Sequence, residues 1–414
     1  MRLPNGWRFV RMEDVCTLMT NGFVGVATPH YREFGVPYLM ANNVQPNKLI
    51  DVHLVYVSSE FHQSNQKSSL RQGDILTVQT GFIGVSCVVP EKYVGSNAHA
   101  LIISRVRPKE ADSRFVCELL NAQYGRHQIW RIQTGGGRPH LNTGDLLSFP
   151  LPLPPLEEQK RIAEILGEWN EAVEKVGQLI EAKQKLKRGL MQQLLTGDRT
   201  AKSKAARQWE HARLSELFEP VTSEVGEHKT TVLSITATVG FVDQAAKFSR
   251  VIAGEQLTKY VLLKRGEFAY NKGNSNAYPQ GCIYMLEEFE EGAVPHVYIS
   301  FRAKDASAHP EFYKHFFAAG GLNRQLHRLI NSGVRNDGLL NLDEEGYFAM
   351  TVPKPPMDVQ RRIADVFSTL DLELARLKAL HSALTNQKRG LMQKLLTGQV
   401  RVKVSNAPSE VAHV

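Results

Sequence analysis

The stretch Gln159–Gly197 reads QKRIAEILGEWNEAVEKVGQLIEAKQKLKRGLMQQLLTG. It recurs 201 residues later as Gln360–Gly398, QRRIADVFSTLDLELARLKALHSALTNQKRGLMQKLLTG. The two stretches align without a gap and are identical at 16 of 39 positions. Solenoid repeats have periods of about 20–50 residues, so a period near 200 indicates duplication of a whole domain together with the helix that follows it.

Each copy of this stretch predicts a long helix with one apolar seam. In the second copy the apolar residues alternate at spacings of four and three, as in a coiled coil, with His381 and Lys388 as polar interruptions. The first copy follows the same pattern, breaks at Lys183 and resumes at Leu186. So long a seam must be buried, and we expect the two helices to pair in antiparallel orientation. The predicted pairing residues are Ile162, Leu166, Trp169, Val173, Leu190, Leu194, Ile363, Phe367, Leu370, Leu374, Leu391 and Leu395.

The duplication extends beyond the helices. Leu70-Arg-Gln-Gly-Asp74 is echoed by Leu263-Lys-Arg-Gly-Glu267, and Pro152-Leu-Pro-Pro155 by Pro353-Lys-Pro-Pro356. Between such landmarks the copies scarcely match. The predicted order is a first domain at 1–153, a long helix at 154–198, a linker at 199–207, a second domain at 208–353, a second long helix at 354–398 and a flexible tail at 399–414.

Both domains are predicted to be mixed α/β and rich in strands, which makes the fold class α+β. Short Val-, Ile- and Tyr-rich runs between Gly, Pro and Asn turns predict the strands. The runs are 54–57, 75–78, 83–89, 100–106, 232–235, 260–263, 281–286 and 297–301. Each domain also predicts one amphipathic helix, Ser113–Arg131 in the first and Pro310–Ile330 in the second.

Composition narrows the class of protein. The start MRLPNGWRFV lacks the apolar stretch of a signal peptide, and no run is long enough to span a membrane, so a cytoplasmic protein is expected. The four cysteines have no zinc or CxxC spacing and are expected to be reduced and mostly buried. The net charge of +8 suggests an anionic partner, yet residues 207–352 carry 15 basic and 18 acidic groups. DNA binding by that block would therefore depend on local patches.

The sequence contains no recognisable catalytic motif. We find no phosphate-binding loop, GxGxxG, HExxH or GxSxG pattern, and no group of histidines at metal-ligand spacing. The chain is therefore expected to have no covalent chemistry and no metal site of its own. The carboxylates Glu157 and Glu158 begin a helix, where interaction with the helix dipole would account for them.

Three kinds of polar, Gly-rich loop suggest binding instead. One is Thr77–Phe82, matched by Tyr270–Asn276; another is Thr134–His140, matched by Asn331–Asp337; the third is Tyr38–Asn43. Asn, Gln, Arg and Lys read base edges, and Gly lets the backbone approach phosphate. The candidate DNA contacts are Asn42, Asn43, Gln79, Thr80, Arg138, His140, Asn271, Lys272, Asn274, Arg335 and Asn336. Ordinary turns also favour Asn and Gly, so a purely structural role stays open for each residue.

The order of these landmarks resembles the specificity subunit of type I restriction-modification systems. The resemblance rests on Leu3-Pro-Asn-Gly-Trp7, LxxGD, the Gly-Arg loop around Arg138, PLPPLEEQKRI and the ending KRGLMQxLLTG, and it covers essentially the whole chain. The second copy departs from it with PKPPMDVQ in place of PLPPLEEQ.

The resemblance implies two target-recognition domains, each reading one half of a bipartite DNA site. The paired helices would form a coiled-coil spacer that sets the gap between the halves and docks two modification (methyltransferase) subunits. Those subunits would bind S-adenosylmethionine, and restriction subunits would add ATP- and Mg-dependent translocation and cleavage. The chain itself would be a non-catalytic subunit. Two other hypotheses remain at this stage: a coiled-coil scaffold for protein partners that does not read DNA, and a self-sufficient DNA-modifying enzyme.

Overall fold

In the computed structural model the described residues are 3–135, 139–195, 209–236, 238–248, 254–273, 278–330, 340 and 342–403. They form two compact units. Unit 1 comprises Met1–Gly177 and Leu380–Val414, and unit 2 comprises Gln178–Ala379. Each unit therefore contains part of both long helices. The predicted linker at 199–207 lies outside the described residues.

The strands and short helices of unit 1 precede the first long helix. The strands are β1 (Arg8–Arg11), β2 (Cys16–Asn21), β3 (Tyr31–Arg32), β4 (Val36–Leu39), β5 (Val44–Gln45), β6 (Lys48–Leu49), β7 (Val55–Val57), β8 (Ile75–Val78), β9 (Ser86–Val88), β10 (Asn97–Ala98), β11 (Leu101–Val106) and β12 (Pro150–Leu153). The helices are α1 (Met12–Val15), α2 (Ser59–Ser64), α3 (Ser113–Asn121), α4 (Gln123–Ile132), α5 (Thr143–Leu147) and the long α6 (Leu156–Leu194).

Unit 2 repeats the plan before the second long helix. Its strands are β13 (Glu210–Arg213), β14 (Phe218–Pro220), β15 (Leu233–Thr236), β16 (Gly240–Asp243), β17 (Val261–Lys264), β18 (Phe268–Asn271), β19 (Cys282–Met285), β20 (Glu291–Val294), β21 (Ile299–Ala303) and β22 (Thr351–Lys354). Its helices are α7 (Leu214–Leu217), α8 (Gln244–Phe248), α9 (Pro310–Ala318), α10 (Asn323–Leu329), α11 (Glu344–Ala349) and the long α12 (Met357–Leu396).

The same antiparallel sheet forms the centre of each unit. Its strand order is β2-β11-β8-β9 in unit 1 and β14-β21-β18-β19 in unit 2. A two-stranded ribbon, β1-β12 or β13-β22, pairs the beginning of each block with the strand before its long helix. All eight predicted strand segments overlap an observed strand, because short apolar runs between turn residues suit the buried centre of a sheet. The mixed α and β fold class predicted from the sequence is confirmed.

The amphipathic helix predicted before each long helix is in fact two helices. In unit 1 the chain turns at Ala122, whose ψ of 165° is extended, and α4 then packs against the end of α3. A Cβ atom at Gly125 would lie 2.1 Å from the Leu119 carbonyl oxygen, so only glycine permits this packing. In unit 2 the break falls at Gly320, where φ is +76°. The single helices predicted at Ser113–Arg131 and Pro310–Ile330 were wrong in this respect, because the apolar spacing continues through the break.

The seam of the long helices is buried within each unit, as predicted. In unit 1 the first part of α6 and the last part of α12 join one apolar core, and in unit 2 the last part of α6 and the first part of α12 join another. The pairing is therefore antiparallel. Ile162, Leu166, Leu395, Ile363, Phe367, Leu370 and Leu374 are buried, and Trp169, Val173, Leu190, Leu194 and Leu391 are half-buried.

The seam of α6 does not resume at Leu186, whose side chain is 49% exposed. Lys183 and Lys187 occupy the seam instead and form ion pairs with Glu373 and Asp371 of α12. The Lys183 Nζ to Glu373 Oε2 distance is 2.5 Å. For these lysines the sequence predicted only that the seam breaks at Lys183. Their acidic partners lie on the other helix, where the pairs add polar specificity to an apolar seam.

A buried glutamine joins each long helix to its own domain. Gln159 accepts a hydrogen bond from the Asp112 amide at 2.9 Å and donates to the carbonyl oxygens of Glu110 and Pro154. Gln360 repeats the arrangement with the His309 amide at 2.8 Å and the carbonyl oxygens of Ser307 and Pro355. The first residue of the repeated sequence is therefore a structural connection, and both copies keep it.

The carboxylate of Glu158 has a different role from the one predicted. It is buried, accepts a hydrogen bond from the Trp7 indole at 3.2 Å and forms a two-point ion pair with Arg401 at 2.6 and 2.7 Å. This contact raises the pKa of Arg401. Arg401 and Val402, in the segment predicted to be a flexible tail, therefore contact the rest of unit 1, and residues 404–414 lie outside the described residues.

Candidate nucleic-acid interface

In unit 1 the β8–β9 connection is a closed loop with an aromatic side chain at its tip. The Val78 amide donates to the Val85 carbonyl, and the Gly84 amide donates to the Val78 carbonyl, both at 2.9 Å. Gly84 has a φ of +81° and leaves no room for a Cβ atom, which would lie 2.6 Å from the Ile129 side chain. Thr80 is exposed, and the Phe82 ring is 83% exposed. The loop is thus tied at its base and presents two side chains outward.

Gln79 connects this loop to the loop before α5. Its side chain is 4% exposed and donates to Asn21 Oδ1 at 3.0 Å and to the Leu141 carbonyl at 3.2 Å. The Leu141 amide in turn donates to the Gln79 carbonyl at 3.0 Å. Because β2 and β8 both pair antiparallel to β11, their carboxyl ends share one edge of the sheet. At this edge the hydrogen bonds between Gln79 and Leu141 join two of the predicted binding loops, with Gln79 as a buried connection rather than an exposed contact.

The second of these loops is closed at its base by an isolated antiparallel bridge between Thr134 and His140. Thr134 and His140 exchange backbone hydrogen bonds at 2.9 and 2.8 Å, and Asn142 Nδ2 donates to the Thr134 hydroxyl at 3.1 Å. His140 is half-buried at its base. Arg138 lies outside the described residues, so its DNA contact stays a prediction.

Unit 2 has the same loop junction, the backbone contact that joins the two loops, but builds it with different side chains. The Leu340 amide donates to the Lys272 carbonyl at 2.9 Å, as Leu141 does to Gln79, and Lys272 Nζ donates to the Leu342 carbonyl at 2.9 Å. Asn271 Oδ1 accepts from the Gly273 amide at 2.8 Å. Lys272 and Asn271 are half-buried and shape this loop. The candidates Asn274, Arg335 and Asn336 lie outside the described residues.

The early loop at Tyr38–Asn43 is organised by a buried asparagine. Asn43 is fully buried, accepts from the Met40 amide at 3.0 Å and donates to the carbonyl oxygens of Ile50 and Val52 at 3.1 and 3.0 Å. A side chain so enclosed faces no ligand in this conformation, which corrects the prediction that it is an outward contact. These bonds all lie within residues 40–52, so they do not join this loop to the other two. Asn42 is exposed and remains a candidate.

The LxxGD landmark is also structural. Asp74 is fully buried, accepts from the Arg71 amide at 2.8 Å and forms a two-point ion pair with Arg105 of β11 at 2.7 Å. In unit 2 Glu267 accepts from the Lys264 amide at 2.7 Å, and its carboxylate lies 3.8 Å from Arg302 of β21. The acidic residue closes the turn before the central strand and pairs with an arginine on the neighbouring strand. The sequence repeat marks this position, but the partner arginine is visible only in the fold.

The described residues offer no further chemical centre of the usual kinds. No group of three or more His, Cys, Asp or Glu side chains converges there as metal ligands, and none of the helices in these ranges has the length and apolarity needed to span a lipid bilayer. All four cysteines are described, buried and unpaired. Burial raises the pKa of the Cys16 and Cys282 thiols to about 12 and about 11.

Comparisons with known proteins identify similar chains. Residues 4–184 match the family model described as the type I restriction modification DNA specificity domain. The MjaVIII type I restriction enzyme specificity subunit of Methanocaldococcus jannaschii is 22% identical, over 98% of this chain and 96% of its own length. The EcoKI specificity subunit of Escherichia coli is 21% identical, over 96% of this chain and 90% of its own length. The crystal structure of a type I restriction-modification S subunit from M. genitalium shares the fold, with a TM-score of 0.60 and 17% identity over 95% of this chain and 98% of that one.

Proposed function

Because residues 4–184 match the type I restriction modification DNA specificity domain, we propose that this chain is a type I specificity subunit and that each unit reads one half of a bipartite DNA target. The observation that carries the proposal is the loop junction found in both units. The Leu141 amide binds the Gln79 carbonyl in unit 1, and the Leu340 amide binds the Lys272 carbonyl in unit 2. One framework thus holds two Gly-rich loops together twice, at the same edge of the same sheet.

The side chains on this common framework differ between the units. Unit 1 presents Thr80 and Phe82 at the tip of a closed loop, whereas Asn271 and Lys272 begin the corresponding loop of unit 2. Base sequence is read by side chains at the groove edges, while the backbone positions the protein. Unlike loops on like frameworks would therefore recognise unlike half-sites, and the full target would be asymmetric.

The paired helices α6 and α12 would set the gap between the half-sites. Their apolar seam is interrupted by the pairs Lys183–Glu373 and Lys187–Asp371, and such polar positions fix the register of paired helices. A fixed register holds the two recognition surfaces at a constant separation, as dimer geometry does in other DNA-binding proteins. In this proposal the helices also dock two methyltransferase subunits.

The chain would act without catalytic residues of its own. Its described polar side chains at the loop junctions hold backbone groups, as Gln79 and Lys272 do, and are not arranged as a nucleophile with a base. Methyl transfer from S-adenosylmethionine would occur on the modification subunits, and ATP- and Mg-dependent cleavage on the restriction subunits. The specificity subunit supplies the choice of sequence.

A methylome tests this function directly. The chain is co-expressed with its methyltransferase subunit in a host that lacks adenine methylation, and modified bases are mapped by long-read sequencing. The expected result is one split motif with two short halves and a fixed gap. The Thr80→Ala/Phe82→Ala variant is expected to relax one half only. Assembled subunits that leave the genome unmodified, or a variant that changes both halves equally, would overturn the proposal.

A further inference from the structure

The second short helix before each long helix carries an exposed face of basic residues. In unit 1 this is the α4 face, defined as Arg126, His127 and Arg131, and in unit 2 it is the α10 face, defined as Arg324, His327 and Arg328. All six side chains are exposed. The preceding helices α3 and α9 begin and end 197 residues apart. At that offset His127 corresponds to Arg324, and Arg131 to Arg328.

Within the described residues, no ion pair neutralises the arginines of either face. Neither Gln123–Ile132 nor Asn323–Leu329 contains Asp or Glu. Within the part of the chain that the structure describes, none of the six side chains forms an ion pair or a hydrogen bond. Residues 207–352 carry more acidic than basic groups, 18 against 15, and the α10 face nevertheless carries two arginines and no acidic group. Its charge therefore runs against the composition of its own domain, which marks a local anion-binding surface.

In unit 1 the α4 face borders the candidate interface. Ile129, on the buried side of α4, fills the space beside Gly84 in the loop that presents Phe82. Helix α4 ends at Ile132, two residues before the Thr134–His140 bridge. The helix thus contacts one loop of the junction and leads into the other. In unit 2 the buried residue at the corresponding place is Leu326, and α10 ends at Leu329.

We propose that the α4 and α10 faces bind the phosphate backbone of double-stranded DNA beside each half-site, so that they position each unit without reading sequence. This proposal rests on the proposed function and assigns it a second, sequence-independent surface. Arginine suits the role because its planar guanidinium stays charged and matches phosphate geometry. Each face offers two arginines, so each unit would neutralise about two phosphates.

The exposed Trp130 is not part of this proposal. Its ring is 64% exposed and stacks on His127 with centroids 6.2 Å apart, but the corresponding residue in unit 2 is His327. What recurs between the units is the charge. In unit 1, Arg126 and Trp130 also line a groove with Met392 of α12, and a protein partner seated there is the competing occupant.

The salt dependence of DNA binding tests the proposal. The Arg126→Ala/Arg131→Ala and Arg324→Ala/Arg328→Ala variants are assembled with methyltransferase subunits, and affinity for cognate and scrambled duplexes is measured by fluorescence anisotropy at several salt concentrations. Each double variant is expected to lower the slope of log K against log salt by about 2. Affinity for both duplexes is expected to fall by the same factor, on the order of tenfold at about 0.1 M salt, with the specificity ratio unchanged.

Matched variants separate charge from shape. Lysine at the same four positions should retain most of the slope, and Arg8→Ala and Arg213→Ala, which remove exposed arginines of β1 and β13, should leave it unchanged. A wild-type slope in both alanine variants would overturn the proposal. Loss of bound methyltransferase subunits at unchanged slope would also overturn it and assign the groove to a protein. If the wild-type complex fails to prefer its cognate duplex, the proposed function fails instead, whatever the slopes.

Discussion

Glu118 of α3 and His315 of α9 occupy equivalent positions, 197 residues apart, and each is a buried titratable group facing the long helices of its own unit. Glu118 Oε1 accepts from Asn170 Nδ2 at 2.6 Å, and the charge of Lys388 acts on it. Within the described residues, Glu118 Oε2 and His315 Nε2 both lack a hydrogen-bond partner. At the same position facing the long helices, one domain thus has an acidic side chain, Glu118, and the other has a basic one, His315.

The charged neighbours of Glu118 and His315 also differ between the two units. His315 Nδ1 lies 3.8 Å from Asp371 Oδ2, and Asp371 pairs with Lys187. Asp371 corresponds to Asn170 and Lys187 to Lys388, at the 201-residue offset of the helices. Each site therefore includes one lysine of a long helix and one carboxylate, but the carboxylate comes from the domain in unit 1 and from the long helix in unit 2.

This exchange predicts compensation between two substitutions. Asp371→Asn should destabilise unit 2 by about 1 kcal/mol, because Lys187 would lose its partner at a partly buried position. His315→Glu alone should also destabilise it, by placing a second carboxylate beside Asp371. The double variant recreates the set found around Glu118 and should recover most of the loss. Denaturant unfolding of the four chains in a double-mutant cycle measures the coupling, and simple additivity would contradict it.

The pH dependence of stability should differ between the units, and in unit 2 it follows from His315. Burial, assisted by the charge of Lys314, lowers the pKa of His315 to about 4, while Asp371 raises it and Lys187 lowers it further. Below about 6.5, its ordinary value, the unfolded chain binds a proton that the folded unit excludes, so stability should fall as the pH drops from about 6.5 to about 4. The loss should be on the order of 3 kcal/mol. Hydrogen exchange of unit 2 across this range measures it, and His315→Gln should remove the dependence.

Glu118 should act in the opposite direction in unit 1. Burial raises the pKa of its carboxyl group, with Lys388 and Asn170 opposing the shift. The folded unit then holds a proton that the unfolded chain has released, so this contribution is present below the ordinary pKa of Glu and is lost as the pH rises through the folded value. Hydrogen exchange of unit 1 should therefore show Glu118→Gln to be more stable than wild type at neutral pH. Equal stability of the two chains at neutral pH would contradict the assignment.

Gln79 should be essential for the position of the recognition loops although it is buried beneath them. Gln79→Ala removes its hydrogen bonds to Asn21 and Leu141 and should cost about 1–3 kcal/mol if their oxygens stay buried and unsatisfied. Hydrogen exchange should increase at residues 139–142, and affinity for cognate DNA should fall. Thr80→Ala, on the exposed side of the same loop, is the control that should weaken DNA binding without loosening those amides. Unchanged exchange in Gln79→Ala would remove the residue from the junction.

Phe82 should contribute to DNA binding and not to folding. Its ring is 83% exposed on a loop closed at Val78 and Val85, and exposed apolar side chains of this kind can insert beside bases or stack on them. Phe82→Ala should leave the unfolding midpoint unchanged and weaken cognate binding by about 1–3 kcal/mol. Phe34→Ala, which removes an 81% exposed ring outside this junction, is the matched control. Equal effects of the two substitutions on binding would show that the position of Phe82 is not special.

Lengthening both helices should lengthen the gap in the DNA target. One heptad inserted after Gly177 of α6 and another before Leu380 of α12 preserves the facing seam and adds about 10 Å to each helix. That corresponds to about three base pairs of duplex. Mapping the methylated motif of the longer subunit measures the gap, and a heptad in α6 alone is the control that should disrupt pairing. A motif with the original gap would contradict a spacer role for the helices.

The amino-acid sequence by itself determined the duplication, the two long antiparallel helices and the strand-rich α+β domains. Apolar residues at spacings of four and three must be buried on one side of a helix, and short apolar runs rich in β-branched residues between turn residues favour strands. Positions such as Ile162, Phe367 and Leu395 could be assigned to the seam because helical periodicity alone decides which residues share a face.

Only the tertiary structure decided what the polar residues do. Asn43, Gln79 and Lys272 are residue types that recognition loops use, yet each of them hydrogen-bonds a backbone carbonyl that the fold places within reach. Lys183 and Lys187 resemble a solvent-exposed basic segment until α12 brings carboxylates to them. A polar side chain has the same chemistry whether it binds DNA or its own backbone. Which one it binds depends on contacts between residues far apart in the chain. The local spacing of residues does not predict those contacts.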